Sequence, residues 1–112
     1  MTTIPRNIFH EKSLCKAIQG KNVIELTYQN DAFARTFEPY VVFEELVTKN
    51  INLAGRQRYN PNKPADPLEW KKFTVGLIDN LKVFSRTFSP DPVFSSFDRK
   101  TYGFNVLCAV DR

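Results

Sequence analysis

The sequence predicts a mainly β domain of the α+β class: a small antiparallel β-barrel capped by one N-terminal amphipathic helix. Three observations predict it. One stretch of helical periodicity opens the chain, five or six short runs of strand chemistry follow at regular spacing, and turn residues separate the runs. At 112 residues the chain suits one hydrophobic core, so residues 1–112 are expected to form a single domain.

The helix is expected from Ile8 to Gln19. Leu14, Cys15, Ala17 and Ile18 recur at helical spacing, Asn7 offers an N-cap and Gly20 a stop. The period then changes to that of a strand: in "NVIELTYQN", Ile24, Leu26 and Tyr28 alternate with Val23, Glu25 and Thr27. "QNDA" reads as a tight connection into "RTFEPYVVFEEL", where Phe37, Val41 and Phe43 share a face. Pro39 there demands an edge or a bulge, because it has no N–H to give a ladder. "TKN" turns the chain into "INLAGRQ", a short third strand, with Arg56 to Tyr59 opening a charged loop that continues through the prolines of "YNPNKPADPL". "WKKFTVGLI" resumes strand chemistry, "DN" suggests a turn, and "LKVFSRTF" alternates again. Residues 89–112 form a C-terminal extension in which "VFSSFDRKTYG" is ambiguous and "FNVLCAV" reads as a last strand.

Composition narrows the function. No apolar run approaches the length of a membrane span, and "MTTIPRNIFHEKS" places charge and proline where a signal peptide needs an apolar core. The protein is therefore expected to be cytoplasmic, with no membrane partner. Cys15 and Cys108 are far apart in sequence and are expected to be reduced, buried thiols rather than a bridge. With His10 as the single histidine, no metal site and no Cys–His or Ser–His–Asp constellation can be assembled. The four glycines are scattered, so there is no phosphate loop. Neither an enzyme nor a cofactor is expected.

Charge is informative in its position. Residues 49–72 carry Lys49, Arg56, Arg58, Lys63, Lys71 and Lys72 against Asp66 and Glu69, and the rest of the chain is balanced, so the net charge of +4 collects here. A solvated loop and an anion-binding surface would both show this pattern. Trp70 and Lys71 put an aromatic beside a cation, the pairing that stacks bases and neutralises phosphates, although Trp70 would equally cover a barrel end. Phe73 alternates with Val75 and is assigned to the core.

The stretch "LCKAIQGKNVIELTYQNDAFARTFEPYVVF" resembles the opening of WYL domains, through Ala17, Ile18, Tyr28, Arg35, Phe37 and Pro39. The resemblance spans about residues 10–88 and rests on the order and spacing of several motifs. It implies an Sm-like small β-barrel with an N-terminal helix. The name-giving Trp-Tyr-Leu positions read Ile51, Asn52 and Leu53, Lys71 stands in place of an arginine, and Gly76, Leu77 and Ile78 replace an Asp-Arg-Ile step. WYL domains commonly sit beside a helix-turn-helix in bacterial transcription regulators and sense ligands through a basic pocket. Only seven residues precede the helix here, so a divergent, stand-alone domain is expected, without a helix-turn-helix of its own.

These readings combine into one expectation: a regulatory, ligand-sensing module in bacterial transcription regulation or defence. It would bind an anionic ligand, a nucleotide or single-stranded nucleic acid, at Arg35, Arg56, Arg58, Tyr59, Trp70 and Lys71. A DNA-binding protein partner and a homodimer through an edge strand fit the same reading. The competing expectation is a protein–protein interaction module with no nucleic-acid ligand.

Overall fold

The structure is a computed structural model that describes residues 4–65, 68–92, 94 and 105–110. Helix α1 runs Ile8–Gly20. Its N-cap is Asn7, whose Oδ1 accepts a hydrogen bond from the His10 N–H at 3.0 Å, as the sequence predicts. The helix stops one residue beyond Gly20, at Lys21, which takes a left-handed conformation with φ 54°. Leu14, Ala17 and Ile18 form its buried stripe.

Six strands follow: β1 Asn22–Tyr28, β2 Arg35–Glu44, β3 Ile51–Tyr59, β4 Glu69–Thr74, β5 Ile78–Thr87 and β6 Asn105–Ala109. They form one antiparallel sheet in the order β4-β3-β2-β1-β5, with β6 added on β2. The mainly β, α+β architecture expected from the sequence is thus what forms. Among the described residues no ladder joins β4 to β5, which leaves these two strands at the ends of the main path of the sheet. Tyr28 at the end of β1, opposite Ile78 of β5, reaches the end of β4, its hydroxyl accepting from the Thr74 N–H at 3.1 Å.

β2 is the hub. Along one side it pairs with β3 for its whole length, while its other side is divided between β1 at Arg35–Phe37 and β6 at Val41–Glu44. The division falls at Pro39. Proline donates no ladder bond, and the β2–β3 register slips between Pro39↔Gly55 and Val41↔Ala54, leaving Tyr40 as the extra residue of a bulge. The bend lets β2 bury every residue from Phe37 to Phe43. Phe37, Tyr40, Val42, Leu53, Ile24 and Ile18 are among the most buried side chains of the core.

Three local expectations change. β3 extends through Tyr59, so Arg56, Arg58 and Tyr59 belong to a strand and not to the loop; the β4 ladder to Arg56 and Gln57 and the β2 ladder to Tyr59 hold them there. The turn expected at Asp79-Asn80 lies instead at Val75–Leu77, a 3-10 turn. Val75 is fully buried, which anchors the turn, whereas Asn80 pairs with Thr27 inside β5 and donates to its hydroxyl. Cys15 and Cys108 form a disulfide rather than two thiols, because the fold sets α1 against β6 with the two Cα atoms 5.6 Å apart across 93 residues of sequence. Apart from Phe94, the ambiguous stretch 93–103 lies outside the described residues; the last strand is β6.

Gly55 sits where the bulge brings β2 closest. A Cβ there would strike the Glu38 carbonyl oxygen and come within 2.8 Å of the Phe37 ring. Gly55→Ala is expected to lower stability by about 3 kcal/mol, read as a fall in the urea midpoint at unchanged slope. A variant as stable as the wild type would show that β2 and β3 do not approach this closely.

Candidate cationic and aromatic ligand site

Strand register decides which of the predicted site residues meet. Arg56 lies between Glu38 of β2 and Trp70 of β4, its direct ladder partners. Two residues on, the β2–β3 register slips again, between Thr36↔Tyr59 and Phe37↔Gln57, which makes Arg58 an extra residue and turns Tyr59 to the Thr36 side. Arg56, Arg58, Tyr59 and Trp70 therefore gather on the face of the sheet that carries Thr36 and Glu38. Tyr59 is 53% exposed and Trp70 42%.

Trp70 is seated on an aromatic shelf. Its ring packs edge-on against Tyr40 with centroids 4.8 Å apart and lies 5.8 Å from Phe94, while Phe88 covers another side of Tyr40 at 5.3 Å. The Tyr40 ring is fully buried and its hydroxyl accepts from the Asp91 N–H at 2.8 Å. Burial raises the Tyr40 pKa above its ordinary value, so it stays a neutral phenol. The bulge at Pro39 is what turns this ring toward Trp70.

Glu38 is the acid among these cations. Its carboxylate lies 3.5 Å from the Arg58 Nε and its side chain is only 12% exposed. Burial raises its pKa above the usual carboxylate value, opposed first by Arg58 and then by Arg56. One partly desolvated carboxylate between two guanidiniums leaves this face with an excess of positive charge. An arriving anion would compete with Glu38 for them.

Arg35 and Lys71 stand on the opposite face. Arg35 donates to Asp31 through Nε at 2.8 Å and Nη2 at 3.1 Å, donates from Nη1 to Gln57 at 3.2 Å, and its guanidinium lies 5.4 Å from the Phe73 ring centroid. This fork pins the β1–β2 connection to the core. Lys71 pairs with Glu69 at 2.6 Å on the side shared with Phe73.

Asn52, at the tyrosine position of the name-giving tripeptide, is buried in a polar network. Its amide donates to Glu45 at 3.1 Å and its carbonyl accepts from the Thr74 hydroxyl at 3.1 Å; Glu45 also accepts from Thr48 and faces Lys72 at 3.5 Å. These hydrogen bonds, led by that of Thr48, lower the Glu45 pKa. Sequence reading missed Glu38, Tyr40, Phe94 and this network. Glu38 and Tyr40 flank Pro39, where an edge or a bulge was expected, and the remainder carried no local signal.

A cleft of about 350 Å³ lies elsewhere, lined by Arg6, Glu44, Ile51, Asn105, Val106 and Leu107, and none of the six expected residues borders it. Among the described residues no group of three His, Cys, Asp or Glu side chains could hold a metal ion, and no helix is long and apolar enough to cross a membrane.

Among solved structures, proteasome accessory factor B/C (PafBC) of Arthrobacter aurescens matches 78% of this chain with a TM-score of 0.59 and 19% identity. The fold is WYL-like. The match covers 13% of the PafBC chain, so the likeness concerns one portion of that protein. No family model and no curated protein matches this chain.

Glu38 yields a signed expectation. Its folded-state pKa lies above the unfolded value, so the stability it contributes is complete below the ordinary glutamate pKa and is lost as pH rises through the raised one. The thermal midpoint of the wild type relative to Glu38→Gln should therefore fall as pH rises above the ordinary glutamate pKa of about 4.3. A difference independent of pH would mean that this carboxylate is not desolvated.

Proposed function

We propose that this chain is a ligand-sensing module that binds an anionic ligand, a nucleotide or single-stranded nucleic acid, across Arg56, Arg58, Tyr59 and Trp70. One observation carries the reading: Arg56 and Trp70 are direct cross-strand partners at the β3–β4 edge, with Trp70 half-exposed on the Tyr40 shelf. A base stacked on Trp70 would place its phosphates toward Arg56 and Arg58. Lys71 supports the β4 edge from the other face, and Arg35 holds Gln57 and the core beneath it.

The WYL-like fold supports the sensing role, since WYL domains serve bacterial transcription regulators as ligand sensors. In this reading β4 and β5, brought near each other by the Tyr28–Thr74 hydrogen bond between β1 and β4, complete an Sm-like barrel. The module works in the cytoplasm in transcription regulation or defence, with a DNA-binding partner or as a homodimer through an edge strand. It performs no catalytic step and uses no cofactor.

A protein-interaction module is the second reading, favoured by apolar side chains left in solvent at Phe9, 86% exposed, and Val47, 81% exposed. Salt dependence separates the two. Binding of labelled oligo-dT, measured by anisotropy across salt concentrations, should weaken in Arg56→Ala/Arg58→Ala, with the salt slope reduced by about 1.4 for two lost phosphate contacts. Trp70→Ala should cost about 1–3 kcal/mol of affinity. Unchanged affinity and slope in the double variant would overturn the site, and a salt-insensitive complex with a protein would support the second reading.

A further inference from the structure

Residues on both sides of Tyr40 in the fold, Phe88, Asp91 and Phe94 and the end of β6, meet it. Phe88 and Phe94 pack on its ring at 5.3 and 5.1 Å, and the Asp91 N–H donates to its hydroxyl. Farther along, the Val110 N–H donates to the Tyr40 carbonyl oxygen at 2.7 Å, immediately after β6. Tyr40 in turn supports Trp70, and Phe94 touches Trp70 directly. Each of these contacts with Tyr40 is therefore one step from the Trp70 ring.

One covalent bond secures β6. Cys108 in β6 is bridged to Cys15 in α1, a helix seated by Leu14, Ala17 and Ile18 in the core. β6 is the five-residue strand added on β2 where Pro39 ends the pairing with β1, and a short, peripheral ladder is a weak anchor by itself. Both cysteines are only partly buried, so a thiol can reach the bridge. In a compartment that keeps thiols reduced, such a bridge is a reversible state and not a permanent staple.

We propose that the Cys15–Cys108 disulfide is a redox latch on β6, and that its reduction frees Trp70 from its shelf. The reductant is a dithiol. Its thiolate attacks one Sγ, forming a mixed disulfide and releasing the other cysteine as a thiolate that takes up a proton. The second thiol of the reductant then displaces the remaining cysteine, and the reductant leaves as a cyclic disulfide. Two electrons and two protons pass to the protein, which ends with two thiols. Without the bridge β6 depends on its short ladder, the Val110 hydrogen bond to Tyr40 loosens, and more of the Trp70 ring faces solvent. The consequence for ligand affinity rests on the proposed binding site; the latch itself does not.

Trp70 is the single tryptophan of the chain, so the test reads the site directly. Alkylation and mass measurement should find no free thiols in the oxidised protein and two after dithiothreitol. Reduction should shift Trp70 emission to longer wavelength and increase its quenching by acrylamide, with the helical circular dichroism retained. Oligo-dT affinity should rise about fivefold or more. Cys108→Ser should show the reduced values with or without dithiothreitol, and the wild type read in both states serves if that variant folds poorly. Emission and quenching unchanged on reduction would overturn the latch, as would loss of the helical signal, which would make the bridge a plain staple. A Trp70 response with no oligo-dT binding in either state would uphold the latch and remove the ligand assignment. Equal binding in both states with a silent Trp70 would do the reverse.

Discussion

Pro39 has no N–H, and the arrangement of the sheet depends on that missing donor. A ladder that cannot be completed at this point lets β2 bend, Tyr40 becomes the extra residue, and the strand exchanges β1 for β6 along one side. Gly55 is the necessary complement, since only a residue without Cβ fits against Glu38 and Phe37 at the bend. The core and the candidate site both follow from this. The bend buries seven consecutive side chains of β2, and it also swings Tyr40 beneath Trp70.

Charge is distributed by the same register. On the face of Glu38 and Trp70, two arginines share one partly buried carboxylate, so a residual positive potential is held in place by strands and not by mobile loops. On the other face Arg35 is committed to Asp31, Gln57 and Phe73. The two groups of cations differ in kind: Arg35 is mostly buried and holds the chain together, whereas Arg58 is partly exposed, where an anion can reach it.

Much of the fold was legible. The helix announced itself through its period and through Asn7, whose side chain has a local geometric task, and the prediction of an edge or bulge at Pro39 followed from proline chemistry alone. Local signals failed where tertiary contacts decide. Val75–Leu77 contains no polar turn former and becomes a turn because Val75 is drawn into the core, while Asp79-Asn80 looks like a turn and is held straight by Thr27. The disulfide joins residues 93 positions apart, a distance that periodicity cannot bridge. For the site, the concentration of charge in residues 49–72 was visible, but its division between two faces was not. That division depends on the slip at Arg58, which follows from how β2 and β3 pair and leaves no trace in the order of residues.

The Cys15–Cys108 bond also alters what kind of object the chain is. From residue 15 to residue 108 the oxidised polypeptide is a covalent ring, with the segment Asn60–Ala65 as part of its circumference. A single peptide-bond cleavage in that arc opens the ring and leaves one molecule; the same cleavage after reduction yields two. Covalent integrity is thus shared between the backbone and one pair of sulfur atoms, and the redox state of that pair decides whether a nick is a scar or a division.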